Sequence, residues 1–435
     1  MSTPLTVIDA FGAERDIKYS LSPEGELVAH RNIDTLPGQH VDSFSRIRTS
    51  DPAYRFDSQF TYDIDADLWD KKVTGDGAIT HDGTNRMARL VSGATAGSNT
   101  ATIQAHYHSP YTAGRGMFPI GTFIIPNAIP ANGEVGVGYF DGYNGVYLKK
   151  TDVGVYLGLM TTTDAPDALI PQDEWNIDTL GAGVLNPSRL TLDTTKSNIL
   201  GMPMQALYAG RVVMAFDIGG QIIPVHEFNH ANITAFPYIA QASLPIRYWA
   251  NTNSSASAAT IYAICCTVMS EGGQHLMDIP GREFVASNGI TSIAVTTRRA
   301  ILTIRCLPTL NSINQNAITI PLAVELVAKA NDARVEIVRN GALGGTPAWT
   351  PVKLGESVME RDVAGTTVTG GTVIDEFYAV AGSASGRQNT ERGIGGKAIL
   401  AYSHLLAAGD TLSIVVTSFA STTTVNGILK WKEIR

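Results

Sequence analysis

Residues 211–232 read RVVMAFDIGGQIIPVHEFNHAN, and two folds compete for them. His226-Glu227-Phe228-Asn229-His230 matches H-E-x-x-H, the signature of a zinc metalloprotease. That chemistry requires a helix, because two His at i and i+4 must share one face, about 6 Å apart along the axis, to hold one ion. The flanking residues argue against a helix. Val212, Met214 and Phe216 alternate with Val213, Ala215 and Asp217; Gly219-Gly220 then punctuates the chain, and Ile222-Ile223-Pro224-Val225 follows. The pattern is strand, turn, strand. On an extended chain His226 and His230 stand about 13 Å apart at about 3.3 Å per residue, too far to share a metal. The longer form of the motif would need Gly at 233 and His at 236, where this chain has Ile233 and Phe236. The reading is strand end and loop, with no metal, no cofactor and no catalytic residue.

The same punctuation runs through most of the chain. Segments such as GTFIIPNA, EVGVGYFD, GVYLKKT and LPIRYWANT recur every 8–15 residues from about 50 to 275. Asp82-Gly83, Asp141-Gly142, Asn144-Gly145 and Gly272-Gly273 separate strands as turn pairs. No amphipathic helix longer than about two turns is visible. The expectation is an all-β chain of three parts. Residues 1–50 form an extended arm with two strand-like pieces around Gly12 and Gly25, docking on its own domain or a neighbouring subunit. Residues 51–275 form a β-sandwich or jelly roll. Residues 276–435 form a second, smaller antiparallel sandwich, closed by a hairpin over GDTLSIVVTSFASTTTVNGILKWKEI with Trp431 in its core.

Composition narrows the function classes. The 435 residues carry a formal net charge of −8, with no basic run to form the cationic footprint of a nucleic-acid binder. The three cysteines, Cys265, Cys266 and Cys306, make neither a disulfide framework nor a zinc ribbon, and fit folding in a reducing cytosol. No window reaches 18 apolar residues, so no membrane span is expected. The N-terminus MSTPLTVIDAFGAERD lacks a basic n-region and an apolar stretch of signal length.

Four places carry candidate chemistry. The hairpin tip Asp141-Gly142-Tyr143-Asn144-Gly145, with Tyr139 and Tyr147 on its arms, has the makings of a sugar site: flat rings for the apolar sugar face, oxygens and amides for hydroxyls. The candidate carbohydrate-binding residues are Tyr139, Asp141, Tyr143, Asn144 and Tyr147; the bland alternative is an ordinary turn. His106 and His108 share one strand face about 6.6 Å apart, close enough for a metal, and read as a solvated face. Asp63, Asp65, Asp67 and Asp70 lack the glycine and terminal glutamate of a calcium loop and read as a solvated acidic edge. Glu174 and Asp217 are possible members of a glycosidase pair, but a glycosidase needs two carboxylates facing each other, which a sequence does not establish.

Scattered phrases also carry a resemblance. RFDSQFTYDIDADLWD, GYFDGYNGVYLKK, QDEWNIDTLGAG, HEFNHANI, LPIRYWANT and VMSEGGQ, then VTGGTVIDEFY and the closing ILKWKEIR, resemble structural proteins of tailed bacteriophages. The resemblance covers most of 40–435 without one sharp motif, and carries over no catalytic residue. It implies a concanavalin- or laminin-G-like sandwich followed by a second β domain, in a component of the virion. The expected function is therefore a non-enzymatic virion structural protein, a tail or fibre-attachment component assembled as a homo-oligomer in the host cytoplasm. Its partners would be copies of itself and neighbouring tail, neck or capsid proteins. The alternatives are a capsid decoration or head-fibre protein, or a module binding host-surface glycan.

Overall fold

In a computed structural model of the chain, Val212–Ile218 and Gln221–Phe228 are paired antiparallel strands. Gly219 and Gly220 both sit at positive φ, +64° and +82°, the backbone that a two-residue hairpin turn needs. The Asp217 carboxylate accepts the Gly220 N–H at 3.0 Å and closes the turn. Gln221–Phe228 is an edge strand, and its register slips between Met214 and Ala215, which leaves Val225 unpaired as a bulge beside Pro224. An edge and a bulge are the places where a strand tolerates a residue without an N–H.

The structure describes residues 51–205, 207–274, 276–382 and 390–435. Of residues 1–50 it describes the backbone of four short strands, Leu5–Ile8 paired with Glu14–Ile17 and Tyr19–Leu21 paired with Leu27–Ala29. The expected docking role of this segment lies outside the described residues.

From residue 51 onward the described residues are all-β, as the turn spacing predicts. Eight strands form one antiparallel sheet, ordered 221–228, 212–218, 198–201, 117–124, 260–270, 87–91, 78–82, with 53–59 also on 260–270. Seven form the facing sheet, ordered 168–171, 155–160, 145–151, 133–140, 246–253, 98–105, 69–74. The chain passes repeatedly between the sheets, a jelly-roll course. Phe56, Trp69, Phe123, Phe216 and Tyr248 are buried between them. In the facing sheet Val135, Val137 and Tyr139 point into this core, while Glu134, Gly136, Gly138 and Phe140 take the outer face, as period-2 alternation dictates.

Residues 282–434 build a second sandwich of a five-stranded and a six-stranded sheet. Trp431 is fully buried in its core. The expected closing hairpin is corrected: Thr411–Ser418 pairs with 299–306 and 333–339 in one sheet, and Thr423–Ile434 pairs with 282–287 and 318–328 in the other. The four residues between them carry the chain across the core. The sandwiches are not separate bodies, since Ile318, Ile320, Ala401 and Ile434 pack into the first core. No helix among the described residues is long and apolar enough to cross a membrane.

Candidate functional site

The hairpin formed by Gly133–Phe140 and Gly145–Thr151 distributes the five sequence-predicted residues over three environments. Tyr139 is fully buried; its hydroxyl donates to the Ala242 carbonyl at 3.1 Å and accepts the Leu244 N–H at 3.2 Å, and burial pushes its pKa up. It is a core residue. Tyr147 lies on the other face, buried against Phe140 and Trp249 with ring centroids 5.1 and 5.9 Å away. Its ring passes over Gly158, where a Cβ would come 2.1 Å from Cζ. This outer-face cluster borders a depression of about 210 Å³. The Glu134 carboxylate there accepts from Trp249 Nε1 at 3.2 Å and Asn251 Nδ2 at 3.0 Å and pairs with Lys149 at 3.3 Å.

Asp141, Tyr143 and Asn144 line a groove of about 720 Å³ between the two sandwiches. Asp141 shapes the tip: its Oδ1 accepts the N–H groups of Tyr143 and Asn144 at 2.7 and 2.8 Å, an Asx turn. Arg247, packed over the Phe140 ring at 4.9 Å, donates to the Asp141 carbonyl and holds the tip to the sheet. Asn144 is buried and structural; its Oδ1 accepts from Thr162 N and Ala240 N. Tyr143 is the exposed member, with 57% of its surface open.

The second sandwich supplies the opposite wall, which the sequence reading missed. Asn311, Ser312, Ile313 and Asn314 line it and are exposed, and His404 and Arg435 border it. His404 Nε2–H donates to the Gln315 carbonyl at 2.9 Å, leaving Nδ1 as an acceptor when the ring is neutral. Arg435 is paired with Glu433 at 2.7 Å. A signal was present: residues 310–316, LNSINQN, place three asparagines and a glutamine in one short polar run.

The histidine pair is corrected as well. His106 and His108 are buried at the junction, not on a solvated face. His106 bridges Asp70 of the first sandwich and Asp410 of the second, each at 2.7 Å. His108 Nδ1–H donates to the Ser243 carbonyl at 3.1 Å, and its ring lies 6.4 Å from that of His404; burial lowers its pKa to about 4. Of the acidic run, Asp63, Asp65 and Asp67 are exposed and Asp70 is buried. His226 lies in a strand and accepts the Asn176 N–H at 3.2 Å, while His230 donates to the Gly210 carbonyl and stacks on Tyr238 at 4.1 Å. Each ring thus has a separate structural bond.

No protein-family model matches the chain, and no curated protein does. Solved structures do match about half of the chain. A carbohydrate esterase from the Shiga toxin-encoding bacteriophage phi24B is 12% identical over 50% of this chain and 99% of its own, with a TM-score of 0.30. A β-1,3-1,4-glucanase (lichenase) from a mouse hindgut metagenome is 12% identical over 49% of this chain and 97% of its own, with a TM-score of 0.31. The lectin I-B4 of Griffonia simplicifolia is 8% identical over 49% of this chain and 99% of its own, with a TM-score of 0.29. The architecture is a concanavalin-like jelly roll followed by a second β-sandwich. The expectation of a non-enzymatic chain is corrected here: an esterase and a glucanase stand among these neighbours.

Proposed function

We propose that the chain binds an oligosaccharide in the groove between its two sandwiches. The observation that carries this reading is the exposed Tyr143 ring on one wall facing the amide-rich segment Asn311–Asn314 on the other. A flat ring covers the apolar face of a sugar, and amides exchange hydrogen bonds with its hydroxyls. The volume of about 720 Å³ falls in the range of ligand sites. The charged groups at the groove are already engaged, Asp141 by its turn and Arg435 by Glu433, which favours a neutral glycan.

We further propose that the setting is a bacteriophage particle, at its tail or fibres, with the chain as a homo-oligomer. The scattered phrases that resemble phage structural proteins support this. Many weak sugar sites presented together then give avidity for a host surface.

Two experiments test the reading. Purified chain is screened against neutral and acidic glycans, then the binders are titrated against Tyr143→Ala and Asn314→Ala. Retention of neutral glycans, lost in both variants, supports the groove; retention unchanged in both removes it. Antibody against the chain is then imaged on virions of the encoding phage by electron microscopy. Label at the tail supports the setting, label over the head makes it a decoration protein, and no label removes the virion proposal.

A further inference from the structure

The junction beside the groove contains a buried ionic chain. His106 Nδ1 meets Asp70 Oδ1 and His106 Nε2 meets Asp410 Oδ2, both at 2.7 Å. Arg339 reaches Asp410 at 3.3 Å and Asp67 at 2.9 Å, and Asn340 Nδ2 donates to Asp410 at 2.7 Å. Asp410 also closes its own segment, since Oδ2 accepts the Ala401 N–H at 3.1 Å. Between these two residues the chain makes a small hairpin, Tyr402 against Gly409 and Ser403 against Ala408, and that hairpin carries His404. His404 then holds the Gln315 carbonyl of the amide-rich wall. A continuous run of contacts thus leads from the first sandwich to the far wall of the groove.

We propose that His106 is a positioning residue for the groove: by bridging Asp70 to Asp410 it fixes the 401–410 segment, and through His404 it sets the wall that faces Tyr143. The consequence for ligand rests on the glycan reading above; the positioning does not. A bridge between two carboxylates needs both ring nitrogens as donors, hence the imidazolium. Burial disfavours that charge, but the hydrogen bonds and attraction of Asp410 and Asp70 outweigh it and raise the pKa to about 9. The titratable and charged groups around the ring and its partners are Asp70, Asp410, Asp67, Arg339 and the Cys306 thiol, which burial raises well above its usual range. The bridge therefore stays formed at neutral pH and opens in alkali.

The test places spin labels at Asp164 and Leu354, one on each sandwich, in a Cys265→Ser background, and measures the interlabel distance with and without His106→Gln. The same proteins are titrated with the glycan identified in the screen. The expected result is a broadened distance distribution in His106→Gln and binding weaker by roughly tenfold, the size of an ordinary coupling between sites. In the unsubstituted chain both quantities change as pH rises through about 9, and this step is absent from His106→Gln. Tyr143→Ala is the control that loses binding while keeping the distance. An unchanged distance in His106→Gln overturns the proposal whatever the glycan result. A broadened distance with no glycan bound by any variant upholds the positioning and removes the glycan reading alone.

Discussion

His106 Nε2 lies 2.7 Å from Asp410 Oδ2, a contact between residues 304 apart in the sequence. It joins the end of strand Ser98–Ala105 in the first sandwich to the residue preceding strand Thr411–Ser418 in the second. Both side chains are buried, and so is Asp70, so removing His106 takes the cationic partner from a buried carboxylate, which is costlier than losing the bond alone.

That contact predicts a pH dependence of stability. The folded pKa of His106, about 9, is above its ordinary 6.5. Its contribution is therefore complete below about pH 6.5 and is lost as pH rises through about 9. The difference corresponds to something on the order of 3 kcal/mol. Asp410 has the opposite sign: burial raises its pKa, but His106 and Arg339 hold it below the ordinary value, so its contribution fades as pH falls through the folded pKa. Thermal unfolding at pH 6 and pH 9.5 should show a lower Tm in alkali, and His106→Gln should flatten that difference.

The groove predicts a separation of binding from stability at adjacent positions. Tyr143→Ala, at an exposed ring, should leave unfolding free energy within about 0.5 kcal/mol while removing glycan binding. Asn144→Ala strips the acceptor from the Thr162 and Ala240 N–H groups and should cost about 1–3 kcal/mol. Denaturant titration of the two variants distinguishes them, and equal losses of stability would contradict the division of roles.

The outer-face cluster predicts a compensating pair. Gly158→Ala places a Cβ 2.1 Å from the Tyr147 ring and should destabilise by about 1–3 kcal/mol. In a Tyr147→Ala background the same change should cost much less, because the obstruction has gone. A double-mutant cycle reads the coupling directly.

The H-E-x-x-H spelling predicts no zinc site. His226 accepts the Asn176 N–H within a strand and His230 donates to the Gly210 carbonyl, so neither ring is presented to a common ion. Metal analysis of the purified chain should find zinc well below one equivalent. Stoichiometric zinc lost in His226→Ala would contradict this reading.

What the sequence determined by itself is local. Alternation around Gly219-Gly220 was enough to read strand, turn, strand, because the side-chain period and the positive φ of the turn are properties of neighbouring residues. The same alternation in Val135, Val137 and Tyr139 already separates Tyr139 from the exposed hairpin tip, a signal that the grouping of five candidates passed over. Tertiary structure decided the rest. Thr411–Ser418 and Thr423–Ile434 alternate like a hairpin, yet a four-residue connection serves equally to turn back in one sheet or to cross to the facing one. Which occurs depends on the strands already waiting at 299–306 and 318–328. The groove and the His106 bridge depend on packing at greater distance still. Tyr143, Asn314 and His404 meet because two sandwiches share a core, and the two carboxylates that this packing brings to His106 hold its proton to about pH 9 against the cost of burial.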